Sequence, residues 1–268
     1  MTLHHTALGS TGSRVVFLHG LFGQGRNWTQ IGKRLAGEHR VELIDLPHHG
    51  RSPWPERFDF AETAAMVVAS LPDEEPVTLV GHSLGGKVAM VLALLYPARV
   101  DRLVVADISP VDYGQGREFP GYIQAMRELD LASVVHRADA DRMLKPAVPS
   151  DMVRSFLLQN LHRDTHAANG WRWQANLDVL DRDLSVIGTW PEQQVARAEP
   201  YGGPVLWLAG ERSDYVRPEF EPAMDRWFPH NRRVTIKGAG HWLHSERPDV
   251  FLEVLRRFLG EGPDRPGN

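Results

Sequence analysis

The stretch Val77-Thr78-Leu79-Val80-Gly81-His82-Ser83-Leu84-Gly85-Gly86-Lys87 decides how the rest of the chain is read. It begins as a short apolar run behind Pro76, passes through Gly-x-Ser-x-Gly, and continues into Val88-Ala89-Met90-Val91-Leu92-Ala93-Leu94-Leu95, a run of helix formers. Strand, tight turn and helix are the setting in which this pattern becomes a nucleophile elbow. Ser83 is expected at the turn in a strained backbone conformation, with its hydroxyl exposed. A side chain at Gly81, Gly85 or Gly86 would collide with the neighbouring strand or helix.

Upstream, Arg14-Val15-Val16-Phe17-Leu18 reads as a buried parallel strand that stops at His19-Gly20-Leu21-Phe22-Gly23. A Gly-punctuated loop after a central strand offers free backbone N–H groups, which can stabilise an oxyanion if they face Ser83. A helix is expected from Asn27 to about Gly37, then a strand over Val41 to Asp45, followed by Leu46-Pro47-His48-His49-Gly50-Arg51-Ser52-Pro53. His48 and His49 are adjacent in a loop and lack a third ligand, so no metal site is read there. Phe58 to Leu71 is expected to be an amphipathic helix.

Downstream, Pro97 ends the helix behind the elbow, and Arg99 to Asp107 reads as another strand. Alternating strands and helices predict an α/β fold with a mostly parallel central sheet and helices on both faces. From 110 to 203 no convincing strand is found, only helical segments with scattered aromatics. This interruption reads as an inserted helical lid roofing the elbow, with the core formed by 1–109 and 204–268. Phe119, Tyr122, Phe156 and Trp171 are its candidate pocket residues. His162 and His166 are four apart but again lack a third metal ligand. The sheet is expected to resume at Pro204 to Gly210, and to continue after a helix from Pro218 to Trp227 with a last strand at Arg233 to Ile236. Gly238-Ala239-Gly240-His241-Trp242 follows, its glycines freeing the loop to bring His241 toward Ser83. Pro248 to Leu259 is the closing helix, and the tail beyond Gly260 is expected to be disordered.

The composition excludes several function classes. The formal charge of −4 leaves no basic footprint for nucleic acid. Cysteine is absent, which rules out disulfides, a thiolate nucleophile and Cys-ligated zinc. No apolar stretch reaches membrane-spanning length, and Met1 to His5 has neither a basic region nor an apolar core, so a cytoplasmic protein is expected. At 268 residues, 42% of them hydrophobic, one large core suffices.

Four motifs occur in order: His-Gly-x-x-Gly at 19–23, Asp-x-x-x-His-Gly-x-Ser at 45–52, Gly-His-Ser-x-Gly-Gly at 81–86 and Gly-His-Trp at 240–242. Together, from about Arg14 to Leu259, they resemble the α/β-hydrolase superfamily. Within it the chain is similar to the YbfF-type bacterial esterases and their mitochondrial abhydrolase-domain relatives. That similarity rests on His19 to Gly23, Gly85-Gly86-Lys87, Asp107-Ile108-Ser109-Pro110-Val111, Asn176-Leu177-Asp178, and Gly240 to His244 with Glu246 and Pro248. The resemblance implies a serine esterase acting on a small-molecule ester or thioester, with no cofactor.

The chemistry follows from residue type. Ser83 needs a base, His241, which then gives the proton to the leaving group. Backbone N–H groups of Leu84 and of Leu21 or Phe22 would bind the oxyanion. Phe22 and Trp242 join the candidate substrate contacts, Trp242 chiefly as packing for its loop. Lys87 reads as a surface or supporting residue rather than a catalyst. Ser83 excludes the carboxylate-nucleophile members of the superfamily, while lactonases, carbon–carbon hydrolases, perhydrolases and a non-catalytic receptor stay open. For the triad acid, the superfamily's usual place is held by Ser213, with Asp214 one residue late. The closer resemblance carries the acid at the end of the strand after the elbow helix, which is Asp107. Asp107 is the expected acid, with Asp214 and Asp178 as alternatives.

Overall fold

The computed structural model describes residues 2–72, 75–114, 116, 118–164 and 170–260. His166 and the tail beyond Gly260 lie outside the described residues. In chain order the first half contains β1 (His5–Leu8), β2 (Arg14–Leu18), α1 (Thr29–Leu35), β3 (Arg40–Ile44), α2 (Phe60–Ser70), β4 (Val77–His82), α3 (Leu84–Leu95) and β5 (Val100–Ala106). An excursion then carries α4 (Phe119–Glu128), α5 (Arg137–Leu144), α6 (Asp151–Leu158), β6 (Leu161–Arg163), β7 (Trp171–Trp173), α7 (Leu177–Arg182), α8 (Leu184–Gly188) and α9 (Glu192–Val195). The chain ends through β8 (Val205–Gly210), α10 (Glu221–Trp227), β9 (Asn231–Ile236), α11 (Leu243–Glu246) and α12 (Pro248–Gly260).

Among the described residues the main sheet has seven strands in the order β1-β3-β2-β4-β5-β8-β9. Its ladders are parallel except for β1, which lies antiparallel on β3. The central strands are apolar on both faces because both faces are covered. Val16, Leu18, Leu103, Val105, Val205 and Trp207 join one core with α2, α3 and α10. The alternate residues Val15, Phe17, Val104, Ala106, Leu206 and Leu208 join the other with α1 and α12. This period of two tells the faces apart within runs that look uniformly apolar.

Two elements depart from the sequence expectation. The polar opening segment contains β1, whose His5, Thr6 and Ala7 are exposed and whose order comes from backbone pairing to β3 rather than from an apolar face. The excursion holds a small antiparallel pair, β6 with β7, where no strand was expected. Three-residue strands are too short for alternation to show. Trp171 secures this pair by burial in a separate apolar cluster with Leu129, Val134 and Leu161, and its indole N–H donates to Val134 O at 2.8 Å.

Candidate active site

The functional edge is marked by backbone conformation. Among the described residues, non-glycine positive φ occurs at Phe22 (60°), His48 (66°), Ser83 (51°) and Asp107 (55°). These four follow β2, β3, β4 and β5 at the carboxyl end of the sheet. Each such residue costs on the order of 1–3 kcal/mol and persists only where its surroundings hold it. At Ser83 the glycines make room: a Cβ on Gly81 would lie 2.3 Å from Gly85 O, and one on Gly85 would lie 2.4 Å from Leu18 O. On Gly86 it would meet Ile108 Cγ2 at 2.6 Å. Ser83 N–H donates to Ala106 O at 3.0 Å, tying the elbow to the end of β5.

One residue further, Asp107 is fully buried. Its Oδ1 accepts from Gly210 N–H at 3.0 Å, and its Oδ2 accepts from His241 Nδ1 at 2.7 Å and from the Ser213 hydroxyl. A carboxylate only accepts, so the neutral form of His241 carries its proton on Nδ1 and leaves Nε2 bare. His82 donates from Nε2 to His241 O at 2.8 Å, and the Tyr215 ring packs on the imidazole at 4.3 Å between centroids. Asp214 is exposed, and Asp178 faces solvent in an ion pair with Arg127. Asp107 is therefore the carboxylate brought to His241, while Ser213, in the usual acid position, supplies a donor to it.

Of the expected oxyanion donors, Phe22 is otherwise engaged: its N–H donates to His49 Nε2 at 3.1 Å. The N–H groups of Leu21 and Leu84 have no intramolecular acceptor among the described residues, and Leu84 is the first residue of α3, where helix donors are free. The Asp45 motif supports this loop. Its carboxylate accepts from Gly25 N–H at 2.7 Å and Arg51 N–H at 2.9 Å, folding 45–52 back so that His49 reaches Phe22. His19 is held between Gly20 O and Leu46 N–H. Burial pushes His19 down to about 4 and His49 down to about 3, so both are neutral scaffold groups. Among the described residues no cluster of His, Asp and Glu could hold a metal.

Ser83 lies where two cavity lobes meet. The first is lined by Leu84, Lys87, Ile108, Tyr113, Ile187 and Tyr215. The second is lined by Phe22, Tyr122, Phe156, Leu157, His241 and Trp242. Leu21 and Phe119 border both. Phe156 and Trp242, with ring centroids 5.9 Å apart, also line an open groove beyond the second lobe. Of the aromatics expected at the pocket, Trp171 lines neither lobe, because it is committed to the β6–β7 cluster. Lys87 departs from a surface reading too. It is buried under the excursion, where its ammonium donates to Gly188 O and Thr189 O, each at 2.7 Å. Desolvation pushes it down to about 7.

Comparison with known proteins bears on the fold. A family model described as the alpha/beta hydrolase fold matches residues 13–248. The chain is 38% identical over 253 residues to the Mus musculus sn-1-specific diacylglycerol lipase ABHD11, covering 91% of this chain and 80% of that one. It is 32% identical over 254 residues to Esterase YbfF of Escherichia coli, covering 93% and 94%. A solved marine microorganism esterase superposes with a TM-score of 0.90 at 31% identity, covering 96% of this chain and 99% of that one. With the elbow at Ser83, the parallel sheet beneath it and a match over nearly the whole length, the chain belongs to the α/β-hydrolase family.

Proposed function

We propose that this enzyme is a serine carboxylesterase that hydrolyses small to medium acyl or aryl esters, and acyl-thioesters by the same route. The observation that carries the reading is the line from Asp107 through His241, joined at 2.7 Å, on the same sheet edge as a strained Ser83 at the junction of two lobes. Ser83 Oγ attacks the carbonyl carbon while bare His241 Nε2 takes its proton, and Leu21 and Leu84 N–H receive the oxyanion. His241 then protonates the departing alcohol or thiolate, and water releases the acyl group by the reverse steps. Because His241 lines only the second lobe, that lobe takes the leaving group and the first takes the acyl chain.

Both lobes are lined largely by apolar side chains, which suits an ester with apolar groups on either side of the scissile bond; the mouse relative is named for one such lipid. Residues 110–203 act as the lid over a core of 1–109 and 204–268. No helix among the described residues is long and apolar enough to cross a membrane. The test is turnover of p-nitrophenyl esters and acyl-thioesters across chain lengths, with Ser83→Ala as control. Ser83→Ala is expected to lose activity on the scale of about 10⁶. Absence of wild-type turnover on every ester and thioester, or a loss below about tenfold, overturns the assignment.

A further inference from the structure

The oxyanion loop is held by side chains that the reaction itself does not use. Gly20 to Gly23 form a tight turn closed by Gly23 N–H on Gly20 O at 2.9 Å. Phe22, its third residue, has φ 60°, a place that turns of this kind usually give to glycine. A phenylalanine stays there only if both of its backbone polar groups are anchored. His49 Nε2 accepts from Phe22 N–H at 3.1 Å, and Asn160 Nδ2 donates to Phe22 O at 2.7 Å.

Each anchor has its orientation fixed by further bonds. His49 Nδ1 donates to Pro47 O at 2.8 Å, so Nε2 is the bare, accepting nitrogen. Asn160 is fully buried between α6 and β6. Its amide nitrogen also donates to Leu157 O at 3.2 Å, and its oxygen accepts from Gln24 Nε2 at 2.9 Å. Two carbonyl neighbours on the nitrogen side leave only one way round for the amide.

We propose that Asn160 and His49 are positioning residues for the oxyanion hole: they hold Phe22 in its left-handed conformation and so aim the Leu21 N–H at the oxygen that becomes negative when Ser83 attacks. Freed of either anchor, Phe22 relaxes toward right-handed or extended backbone and turns the adjoining Leu21 peptide with it. Asn160 belongs to the excursion, so docking of that segment completes the hole as well as covering it. The inference rests on the esterase reading of Ser83.

The test compares Asn160→Leu, Asn160→Asp, His49→Leu and His49→Gln with wild type. It reads kcat and KM on one good p-nitrophenyl ester, inhibition by an alkyl boronic acid, and thermal midpoint. A boronic acid adds to the serine oxygen and places a tetrahedral B–O group in the hole, so its affinity follows the hole's geometry. Asn160→Leu, Asn160→Asp and His49→Leu are expected to lower kcat by about 10- to 100-fold, below the 10²–10³ for outright removal of a donor. KM should change by less than about threefold, and the boronic acid should weaken in step with kcat. His49→Gln keeps an acceptor for Phe22 N–H and should recover most of the loss. Because both anchors act on one peptide group, the double variant should lose less than the product of the single losses. Folded Asn160→Leu and His49→Leu with kcat within about twofold of wild type overturn the proposal, as does a loss shared equally by His49→Gln and His49→Leu. If the Asn160 variants do not fold, the His49 pair decides. Failure of the esterase reading looks different: wild type is inactive, or Ser83→Ala stays active.

Discussion

The two lobes that meet at Ser83 are built differently. The first is lined by side chains several of which are tied by hydrogen bonds: Lys87 grips Gly188 O and Thr189 O, and the Tyr113 hydroxyl donates to Tyr215 O while accepting from Ser109 N–H. The second is walled by aromatic side chains from α4, α6 and the His241 loop, with Phe156 and Trp242 in ring contact. Side chains tied by hydrogen bonds resist displacement, whereas rings in packing contact move by rotamer change. On the proposed assignment, the acyl side measures its occupant and the leaving-group side adapts to it.

The largest expected effect tests what the lobes share. Asp107→Asn should lower kcat by about 10³–10⁴ through the wrong His241 tautomer, and by the same factor whichever side of the ester is varied. Asp214→Asn should cost less than about tenfold. A loss that differs between acyl and alcohol series would show that Asp107 shapes one lobe rather than orienting His241, and the reverse ranking would transfer the acid to Asp214.

A graded series sharpens the contrast directly. With a fixed alcohol, each added acyl methylene should raise kcat/KM by up to about 0.8 kcal/mol, roughly fourfold, until the first lobe is full, and then the rate should fall sharply. With a fixed acyl group, the alcohol series should be flatter and lack the sharp fall. Two matching profiles would erase the distinction. Smaller still, Phe156→Ala should improve turnover of bulky-alcohol esters by about tenfold at most and leave the acyl profile in place. A shifted acyl optimum would reverse the assignment of the lobes.

Lys87 gives a test on stability alone. Burial lowers it to about 7, so from about pH 7 to about pH 10 the unfolded chain binds a proton that the folded chain has released, and folded stability rises with pH. The slope is at most about 1.4 kcal/mol per pH unit. Urea midpoints of wild type and Lys87→Met should therefore diverge in favour of wild type as pH rises through this window. A constant difference would mean that the carbonyls of Gly188 and Thr189 keep the ammonium charged.

The elbow, the sheet core and the Gly-Ala-Gly-His loop were legible in the sequence because sterics and burial leave few choices there. A Cβ at 81 or 85 would run into backbone and one at 86 into Ile108, and only covered strands are apolar on both faces. The long-range polar bonds were not legible. His49 stands in a motif whose local pattern suggests at most a metal ligand, whereas its partner is a backbone N–H 27 positions upstream. Asn160 had no local signal, since a buried asparagine in a helical stretch looks like an exposed one until the fold brings Phe22 to it. Ser213 holds the superfamily's usual acid place, and its hydroxyl bond to Asp107 depends on a contact across 106 positions. The short strands β1, β6 and β7 escaped because pairing, not side-chain pattern, defines them.

The left-handed residues along the sheet edge bear on where the molecule could be made more heat-tolerant. Phe22, His48, Ser83 and Asp107, at about 1–3 kcal/mol each, together withhold an amount comparable to the 5–15 kcal/mol net stability of a typical domain. Relaxing them would stiffen the fold at the expense of the geometry that surrounds Ser83. Reinforcement belongs instead at exposed positions that carry no such strain. Gly121, exposed near the start of α4, has nothing within 4 Å of an added Cβ and no left-handed φ. Gly121→Ala should raise the urea midpoint by the equivalent of about 0.5–1 kcal/mol and leave ester turnover unchanged.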